Sequence, residues 1–203
     1  MADRPDRPLH ILVLAGSFRA GSVNQALVAA ARDEAPGNVV IDDLDLRAIP
    51  FYDGDLEAAG DPPEVTELKQ AIQGAGALLV VTPEYNGSLP AVLKNAIDWA
   101  SRNHPDSVLR DKPVGVMGAT PGRGATKRAQ SHAREILGRI GAIVIDEPSV
   151  QLGLAHEHLS DGELVSSEVR SEVREVVDAL VDAVDIDAAC QSRAAMLTSV
   201  EAA

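Results

Sequence analysis

Five short aliphatic runs, separated by longer amphipathic segments, are the feature that most constrains the fold of this chain. The runs predict strands over residues 9–15, 38–46, 76–82, 113–119 and 141–147. Helical spacing of apolar residues predicts helices near residues 22–35, 63–74, 89–102, 124–140 and 162–185. Alternation of strand and helix indicates βαβ units, and nearly continuous apolar strands are typical of strands covered on both faces. We therefore expect a doubly wound α/β fold with a parallel sheet.

The domain organisation follows from length and from the absence of any repeat or linker. A chain of 203 residues with 45% hydrophobic residues can bury one substantial core, which predicts a single domain over residues 1–203 with its core at about 9–185. Residues 47–63 contain three prolines and no clean period, so they predict a long surface loop. The first eight residues and the tail after about residue 186 lack a strong pattern and are expected to be mobile or used in contacts.

Charge and cysteine content restrict the partners and the compartment. The chain has 18 Lys and Arg against 31 Asp and Glu, a formal charge of −13, so its overall field repels nucleic acid and anionic lipid. Its apolar runs are too short to span a bilayer, and its N-terminus lacks the apolar core of a signal peptide. Cys190 is the single cysteine, which excludes an internal disulfide and a multi-cysteine metal site. We expect a cytoplasmic protein that holds no metal and binds neither nucleic acid nor membrane.

The first candidate ligand site is the loop "GSFRAGSVN", residues 16–24, between the first strand and its helix. In an open α/β sheet this loop can present an anion to the N-terminus of the helix. Ser17, Ser22 and Asn24 offer short polar side chains, and Arg19 offers a forked positive charge. The loop lacks the Lys-Ser/Thr pair of nucleotide triphosphatases and the G-x-G-x-x-G pattern. It predicts a small phosphate site, and the alternative is a capped tight turn with an exposed arginine.

The second candidate is the segment "TPEYNGSLPAVLKNAIDWASR", residues 82–102, after the third strand. Asn86-Gly87 is a strong turn signal, and Ser88 with Pro90 is typical of a helix start. Backbone N–H groups exposed by such a turn, beside the ring of Tyr85, suit a planar heterocycle. A third glycine-rich loop, "GATPGRGATKRAQ", follows the fourth strand and could close over the ligand or only shape the turn into its helix.

Aromatic residues support a flat ligand at this edge of the sheet. The chain has five of them, and four fall in loops at the predicted carboxyl ends of strands: Phe18, Phe51, Tyr52 and Tyr85. Aromatic residues are usually core material, so this placement needs an explanation, which a flat ligand provides. The alternative, that they pack the loops against the sheet, stays open for Phe51.

The three loops together resemble those of the NADPH-dependent FMN reductase family, which belongs to the flavodoxin-like superfamily and includes flavin, quinone, azo-dye and chromate reductases. "GSFRAGSVN" is similar to its phosphate loop and "PEYNGSLPAVLKNAIDW" to its flavin-ring loop. The resemblance covers about residues 9–145. It implies an α/β flavodoxin-like three-layer sandwich, with a five-stranded parallel sheet in the order 2-1-3-4-5 and FMN at the carboxyl ends of strands one, three and four.

The resemblance also implies roles for particular residues. The phosphate of FMN would be held by Ser17, Arg19, Ser22 and Asn24, and its isoalloxazine ring would be lined by Pro83, Glu84, Tyr85, Asn86 and Gly87. The resemblance also implies a cofactor contact by Thr120 in the third loop, where the sequence departs from the family's usual pattern. No catalytic side chain is implied, because the N5 atom of the flavin carries the chemistry.

The implied activity is hydride transfer from NADPH or NADH through FMN to a small-molecule electron acceptor such as a flavin or a quinone. The resemblance further implies a homodimer or homotetramer with the helix at 89–102 in a subunit interface. That helix would equally suit ordinary packing on the sheet. Two alternatives for the function are an FMN-binding electron carrier, whose acidic surface would dock on basic partners, and an accessory flavoprotein without nicotinamide turnover.

Overall fold

The computed structural model describes residues 8–19, 21–103 and 106–201, with side chains as far as residue 186. The strands of the main sheet are β1 (Leu9–Ala15), β2 (Val39–Asp43), β3 (Ala77–Val81), β4 (Pro113–Ala119), β5 (Ile143–Ile145) and β6 (Gln151–Leu152). A separate hairpin consists of β7 (Leu159–Ser160) and β8 (Glu163–Leu164). The helices are α1 (Val23–Glu34), α2 (Gly54–Ala59), α3 (Pro63–Gly74), α4 (Ala91–Ala100), α5 (Lys127–Ile140) and α6 (Ser167–Glu201).

The main sheet is parallel and has the order β2-β1-β3-β4-β5, which confirms the predicted topology. The short strand β6 was not predicted: it pairs with the end of β4 beyond the point where β5 stops. The aliphatic run expected to continue to residue 147 ends as a strand at Ile145, because Asp146, Glu147 and Pro148 follow it. Proline cannot donate to a ladder, and aspartate and glutamate are depleted in strands.

Two apolar layers enclose the sheet and make it the centre of a three-layer sandwich. Alternate residues of β1 face opposite layers, so Ile11 and Val13 pack with α1 and α6, whereas Leu12 and Leu14 pack with α3, α4 and α5. Every residue of β3 is fully buried, as a central strand with helices on both faces requires. In the described part of the chain, no helix has both the length and the apolar character needed to cross a bilayer.

Residues 47–63 do not form the uninterrupted surface loop that their sequence predicts. They begin within a 3₁₀ turn at Leu46–Ala48 and contain α2, whose N-cap Asp53 accepts a hydrogen bond from the N–H of Asp55 at 2.8 Å. No residue of α2 is buried, so its sequence carries no apolar period by which a helix could be recognised.

The last helix differs from its prediction at both ends. It begins at Ser167 rather than near residue 162, because the β7–β8 hairpin turns through Asp161 and Gly162, both with positive φ. It continues to Glu201, well beyond residue 185, so the backbone after residue 186 is helical as far as residue 201. The sequence predicts that the tail after residue 186 is mobile or forms contacts, and the side chains of this tail lie outside those described. Residues 1–7, for which the sequence predicts the same, lie outside the described residues altogether.

Ion pairs fix α6 against α1. The carboxylate of Glu34, whose side chain is 10% exposed, accepts hydrogen bonds from Nε of Arg174 at 2.9 Å and from Nε of Arg170 at 2.7 Å. The hydrogen bond from Arg174 is the largest cause that lowers the pKa of the Glu34 carboxyl, and burial partly opposes it. This cluster therefore joins the last helix, α6, to the first helix, α1, which lies far from it in sequence.

We expect Glu34→Gln to destabilise the protein by about 1–2 kcal/mol at pH 7, because it replaces charge-assisted hydrogen bonds to partly exposed arginines. A carboxyl with a lowered pKa stabilises the fold above its unfolded-state pKa, and this contribution is lost as the pH falls through the folded-state pKa. The difference in free energy of unfolding between the wild type and Glu34→Gln should therefore shrink below about pH 4.3, the ordinary glutamate pKa. Urea unfolding of both proteins at pH 7 and pH 3.5 measures this difference at each pH. An equal difference at the two pH values would contradict a stabilising role of the ionised Glu34 carboxylate.

Candidate cofactor site

Three loops meet at the carboxyl edge of the sheet, because β1, β3 and β4 are neighbours there. We call residues 16–22 the first loop, residues 82–90 the second loop and residues 120–126 the third loop. The N–H of Gly16 donates to the carbonyl of Val81 at 2.8 Å, which joins the first loop to the end of β3. A Cβ at Gly16 would lie 2.7 Å from side-chain atoms of Pro90 and Leu93. Only glycine lets the first and second loops approach so closely.

The two serines of the first loop form a buried pair at the N-terminus of α1. Ser22 is the N-cap: its hydroxyl accepts a hydrogen bond from the N–H of Asn24 at 3.3 Å and donates one to Oγ of Ser17 at 2.9 Å. Both serines are less than 5% exposed. The capped turn that the sequence left as an alternative is therefore present, and it places the positive end of α1 directly under the loop.

Arg19 supplies the full positive charge of the first loop. Its side chain is exposed, and within the described ranges no hydrogen bond or ion pair involves its guanidinium. The neighbouring Phe18 is half-buried and lies under a different arginine, with the guanidinium carbon of Arg47 5.4 Å from its ring centroid. Phe18 is thus engaged with Arg47, whereas Arg19 is available for an anionic ligand.

Asn24 has partners that its sequence position did not predict. Its Nδ2 donates to the carbonyl of Ala119 and its Oδ1 accepts from the N–H of the same residue, both at 2.9 Å. The side chain is buried, so both ends of its amide are used by the terminus of β4. Asn24 therefore fastens the first loop and α1 to the start of the third loop.

The second loop contains the tight turn that Asn86-Gly87 predicts. Tyr85 and Ser88 exchange backbone hydrogen bonds of 3.0 and 3.1 Å, and Asn86 and Gly87 have φ of 52° and 78°. Positive φ at both central positions is the signature of a type I′ turn. The N–H groups at the tip have no partner among the described residues, so they are free to donate to a ligand.

Residues beside the turn have contrasting environments. Pro83 is buried, and its ring lies 3.0 Å from the position that a Cβ at Gly16 would take, so it packs where the first two loops meet. Tyr85 is 52% exposed and presents its ring at the surface. Glu84 points across to α5, where its carboxylate accepts backbone hydrogen bonds. Of the residues expected to line a flavin ring, the structure thus leaves Tyr85, Asn86 and Gly87 accessible and directs the Glu84 side chain elsewhere.

The third loop is tied to the segment that carries β6. The N–H of Thr120 donates to Leu152 at 2.9 Å, and its carbonyl accepts from Ala155 at 3.0 Å. Its hydroxyl accepts a 3.3 Å hydrogen bond from the N–H of Gly122 within the loop. Ala125 and Thr126 both have positive φ, so the loop enters α5 through strained backbone.

The other aromatic residues divide between packing and exposure. Tyr52 packs edge-on against Trp99, with ring centroids 5.0 Å apart, so its ring is partly committed to the fold. Phe51 is 79% exposed, and the alternative that it packs its loop against the sheet is wrong. The physical reason is that Asn95 and Trp99 already hold the loop: Nδ2 of Asn95 and Nε1 of Trp99 both donate to the carbonyl of Pro50 at 2.9 Å.

The arrangement fits a ligand that is anionic at one end and flat at the other. Among the described residues, the guanidinium of Arg19 in the loop before α1 has no partner, and neither do the N–H groups of Asn86 and Gly87 beside Tyr85 in the second loop. His132 on α5 lies within hydrogen-bonding distance of Ser88 in the second loop, and His104 lies outside the described residues. Across the described ranges, no three His, Cys, Asp or Glu side chains are arranged to hold a metal ion.

A cavity of about 400 Å³ lies away from the three loops, between β1, β2 and α3.

The sequence pattern of the NADPH-dependent FMN reductase family matches residues 9–157, which include all three loops. The chain belongs to this family. An NAD(P)H-dependent FMN reductase from Pseudomonas aeruginosa is 38% identical over 173 residues, which are 85% of this chain and 93% of that protein. A 2-hydroxy-1,4-benzoquinone reductase from a Burkholderia species is 37% identical over 172 residues, covering 84% of this chain and 93% of that protein.

A solved structure supports the same assignment. The flavoenzyme FerB, an NAD(P)H:(acceptor) oxidoreductase from Paracoccus denitrificans, superposes with a TM-score of 0.79 at 31% identity, covering 87% of this chain and 97% of that one. The flavodoxin-like fold is thereby confirmed. As a member of the NADPH-dependent FMN reductase family, the protein is an FMN-dependent NAD(P)H oxidoreductase, which confirms the predicted class of enzyme and its cofactors. The electron-carrier and accessory-protein alternatives gain no support from these relatives.

Some residues that shape the site were missed by sequence reasoning. Gly118 interrupts an apolar strand, and a Cβ there would overlap the carbonyl oxygen of Thr82 and lie 2.8 Å from the hydroxyl of Thr126. A glycine inside a strand often marks a close backbone approach, so this signal was present in the sequence. Asn95, a polar residue on the apolar face of α4, gave a similar signal for the loop contact that it makes.

Proposed function

We propose that this protein reduces quinones with hydride from NADPH or NADH, using FMN held at the first, second and third loops. The observation that carries the proposal is the exposed guanidinium of Arg19, which has no partner among the described residues and belongs to the loop that leads into the capped N-terminus of α1. At Gly16 this loop packs closely against the second loop, which exposes the Asn86–Gly87 turn. A positive charge in one loop and a flat, hydrogen-bonding surface in the next are the two features that a flavin mononucleotide requires. The names of the relatives, which include a benzoquinone reductase, support a quinone as the acceptor.

Each part of the site has a role in this proposal. Arg19, with N–H groups of the first loop, binds the phosphate, while the paired hydroxyls of Ser17 and Ser22 form its floor. The N–H groups of Asn86 and Gly87 donate to the edge of the ring, and Tyr85 covers part of it. Pro83, Glu84, Asn24 and Thr120 keep these groups in place through the contacts described above.

The chemistry that a bound FMN supplies is acceptance of a hydride and its transfer to an acceptor. The protein's own contribution is to bind and orient the flavin and to leave one side of the site open. The exposed rings of Tyr85 and Phe51 and the exposed third loop are consistent with an open site at which nicotinamide and quinone alternate. Reduction of a quinone to its hydroquinone takes up one proton with the hydride; water supplies this proton at the open site, so no side chain needs to act as acid or base at the flavin.

We further propose that the protein is a cytoplasmic homodimer or homotetramer. On α4 the side chains of Leu93, Ile97 and Trp99 are fully buried against the rest of the chain, so they are not available to an interface. The outer face of α4 carries the Lys94–Asp98 ion pair; the exposed Phe51 lies in the segment before α2, and the exposed Leu56 lies on α2. A subunit contact through this face would cover those side chains. The molar mass measured by light scattering tests whether the protein is a dimer or a tetramer.

The activity is tested by anaerobic spectroscopy of the purified protein with FMN. We expect NADPH or NADH to bleach the flavin absorption, and an added benzoquinone to restore it within a few turnovers. Bleaching by dithionite but by neither nicotinamide would indicate an electron carrier instead. Bleaching by a nicotinamide without reoxidation by the quinone would refute the quinone as acceptor, and free FMN as an alternative acceptor would then be measured directly.

A further inference from the structure

The N-terminus of α5 is capped from outside the helix. Its N-cap residue, Thr126, has φ of 54° and makes no side-chain capping hydrogen bond. The Thr126 hydroxyl instead accepts a 2.9 Å hydrogen bond from Nε2 of Gln130, and both residues are fully buried. Helix N–H groups left without partners are costly, so this helix needs an acceptor from another part of the chain.

The acceptor comes from the second loop. Oε2 of Glu84 accepts hydrogen bonds from the N–H of Arg128 at 3.0 Å and from the N–H of Ala129 at 3.4 Å. A carboxylate at a helix N-terminus is further stabilised by the helix dipole. Because Glu84 comes 44 residues earlier in the chain than Arg128, this cap also ties two separate walls of the cofactor site together.

Two more contacts anchor the second loop along the first turns of α5. Oγ of Ser88 lies 3.1 Å from Nδ1 of His132, within hydrogen-bonding distance. The side chain of Arg128 lies alongside Gly87, 3.5–3.6 Å from the position that a Cβ there would take. The Asn86–Gly87 turn is therefore held on both sides, by Glu84 before it and by Ser88 after it.

We propose that Glu84 is a positioning residue: by capping α5 it holds the second loop in the conformation that receives the flavin ring. This inference rests on the proposed binding of FMN at the three loops. A loop already ordered in its binding conformation loses less conformational entropy when a ligand arrives, so its anchor raises affinity without touching the ligand. Glu84 would thus govern the ring end of the site, whereas Arg19 governs the phosphate end.

The experiment compares Glu84→Ala, which removes the acceptor, with Glu84→Gln, which keeps an amide oxygen at the same reach. Dissociation constants for FMN and for riboflavin are measured by quenching of flavin fluorescence, well below the melting temperature of each variant. Glu84→Ala should raise both constants by roughly tenfold or more, the effect of losing charge-assisted hydrogen bonds that hold the loop. Glu84→Gln should keep both within about threefold of the wild type, since the hydrogen bonds persist without the charge.

Two further measurements separate positioning from a general loss of stability. Glu135→Ala removes an exposed carboxylate from the same helix and should leave both flavin constants unchanged. Circular dichroism of the bound flavin, measured at saturating FMN, should change in Glu84→Ala and be restored in Glu84→Gln. A purely structural role would lower the melting temperature and leave the spectrum of the bound flavin as in the wild type.

The proposal is overturned if Glu84→Ala keeps both constants within twofold of the wild type, or if Glu84→Gln loses as much affinity as Glu84→Ala. If Glu84→Ala does not fold, Glu84→Asp takes its place: it shortens the reach by one methylene and should weaken both flavins more than Glu84→Gln does. Failure of wild-type protein to bind FMN at all would refute the proposed cofactor site, an outcome seen before any variant is compared.

Discussion

Arg19→Ala should raise the dissociation constant of FMN by roughly ten- to a hundredfold, since a charge-assisted hydrogen bond contributes on the order of 1.5–3 kcal/mol. In a protein of formal charge −13, a phosphate dianion needs local compensation. The N-terminus of α1 supplies a partial positive charge, and the guanidinium of Arg19, which is exposed and has no described partner, supplies a full one. Titration of the apoprotein with FMN, followed by fluorescence quenching, measures the effect.

Riboflavin and a second arginine provide the controls for this prediction. Riboflavin lacks the phosphate, so it should bind wild type and Arg19→Ala about equally. Arg139→Ala removes the same charge from an exposed position at the far end of α5 and should leave FMN affinity unchanged. If Arg19→Ala binds FMN as tightly as the wild type, or loses riboflavin to the same extent, the guanidinium does not bind the phosphate.

Gly118→Ala should destabilise the protein by about 3 kcal/mol, the upper part of the range for overpacking a core. The added Cβ would overlap the backbone carbonyl of Thr82, which cannot rotate away as a flexible side chain could. Because Thr82 begins the second loop, relief of the overlap displaces the loop that receives the flavin ring, and FMN affinity should fall as well. At about 2–4 °C per kcal/mol for a domain of this size, the melting temperature should fall by roughly 6–12 °C.

The matched control is Gly138→Ala in α5, where an added Cβ meets no atom within 4 Å. Alanine is better than glycine in a helix interior by about 0.5–1 kcal/mol, so this variant should be slightly more stable than the wild type. Melting curves of the two variants with and without FMN test the pair. A Gly118→Ala protein that melts within 2 °C of the wild type would show that the close approach of β4 to Thr82 does not constrain the fold.

Most of the sheet could be predicted because its signals are local and strong. The central strands are apolar runs that need no distant information, and the turn at Asn86-Gly87 follows from the ability of those two residues to take positive φ. The short elements were missed for the opposite reason. Helix α2 buries no side chain, and β6 consists of two residues that become a strand only because β4 extends past the end of β5.

The site shows the same division at the level of single residues. The sequence placed Ser17, Ser22 and Arg19 on the loop after β1, and the structure has them at the N-terminus of α1. It did not show that the polar side chains of Asn24 and Glu84 are directed at backbone 95 and 44 residues away. A polar side chain on a loop looks the same in a sequence whether it faces a ligand or braces a neighbouring loop.

The sequence by itself determined the alternation of strands and helices, the position of the three loops and the conformation of the turn in the second loop. Each of these depends on residues within a few positions of one another, through apolar period, capping and allowed φ. The tertiary structure alone decided that Gly16 and Gly118 are points of close contact, that Asn24 fastens α1 to β4, and that Glu84 caps α5. Those choices depend on which strands become neighbours, because a hydrogen-bond donor and its acceptor must meet in space, whatever their separation along the chain.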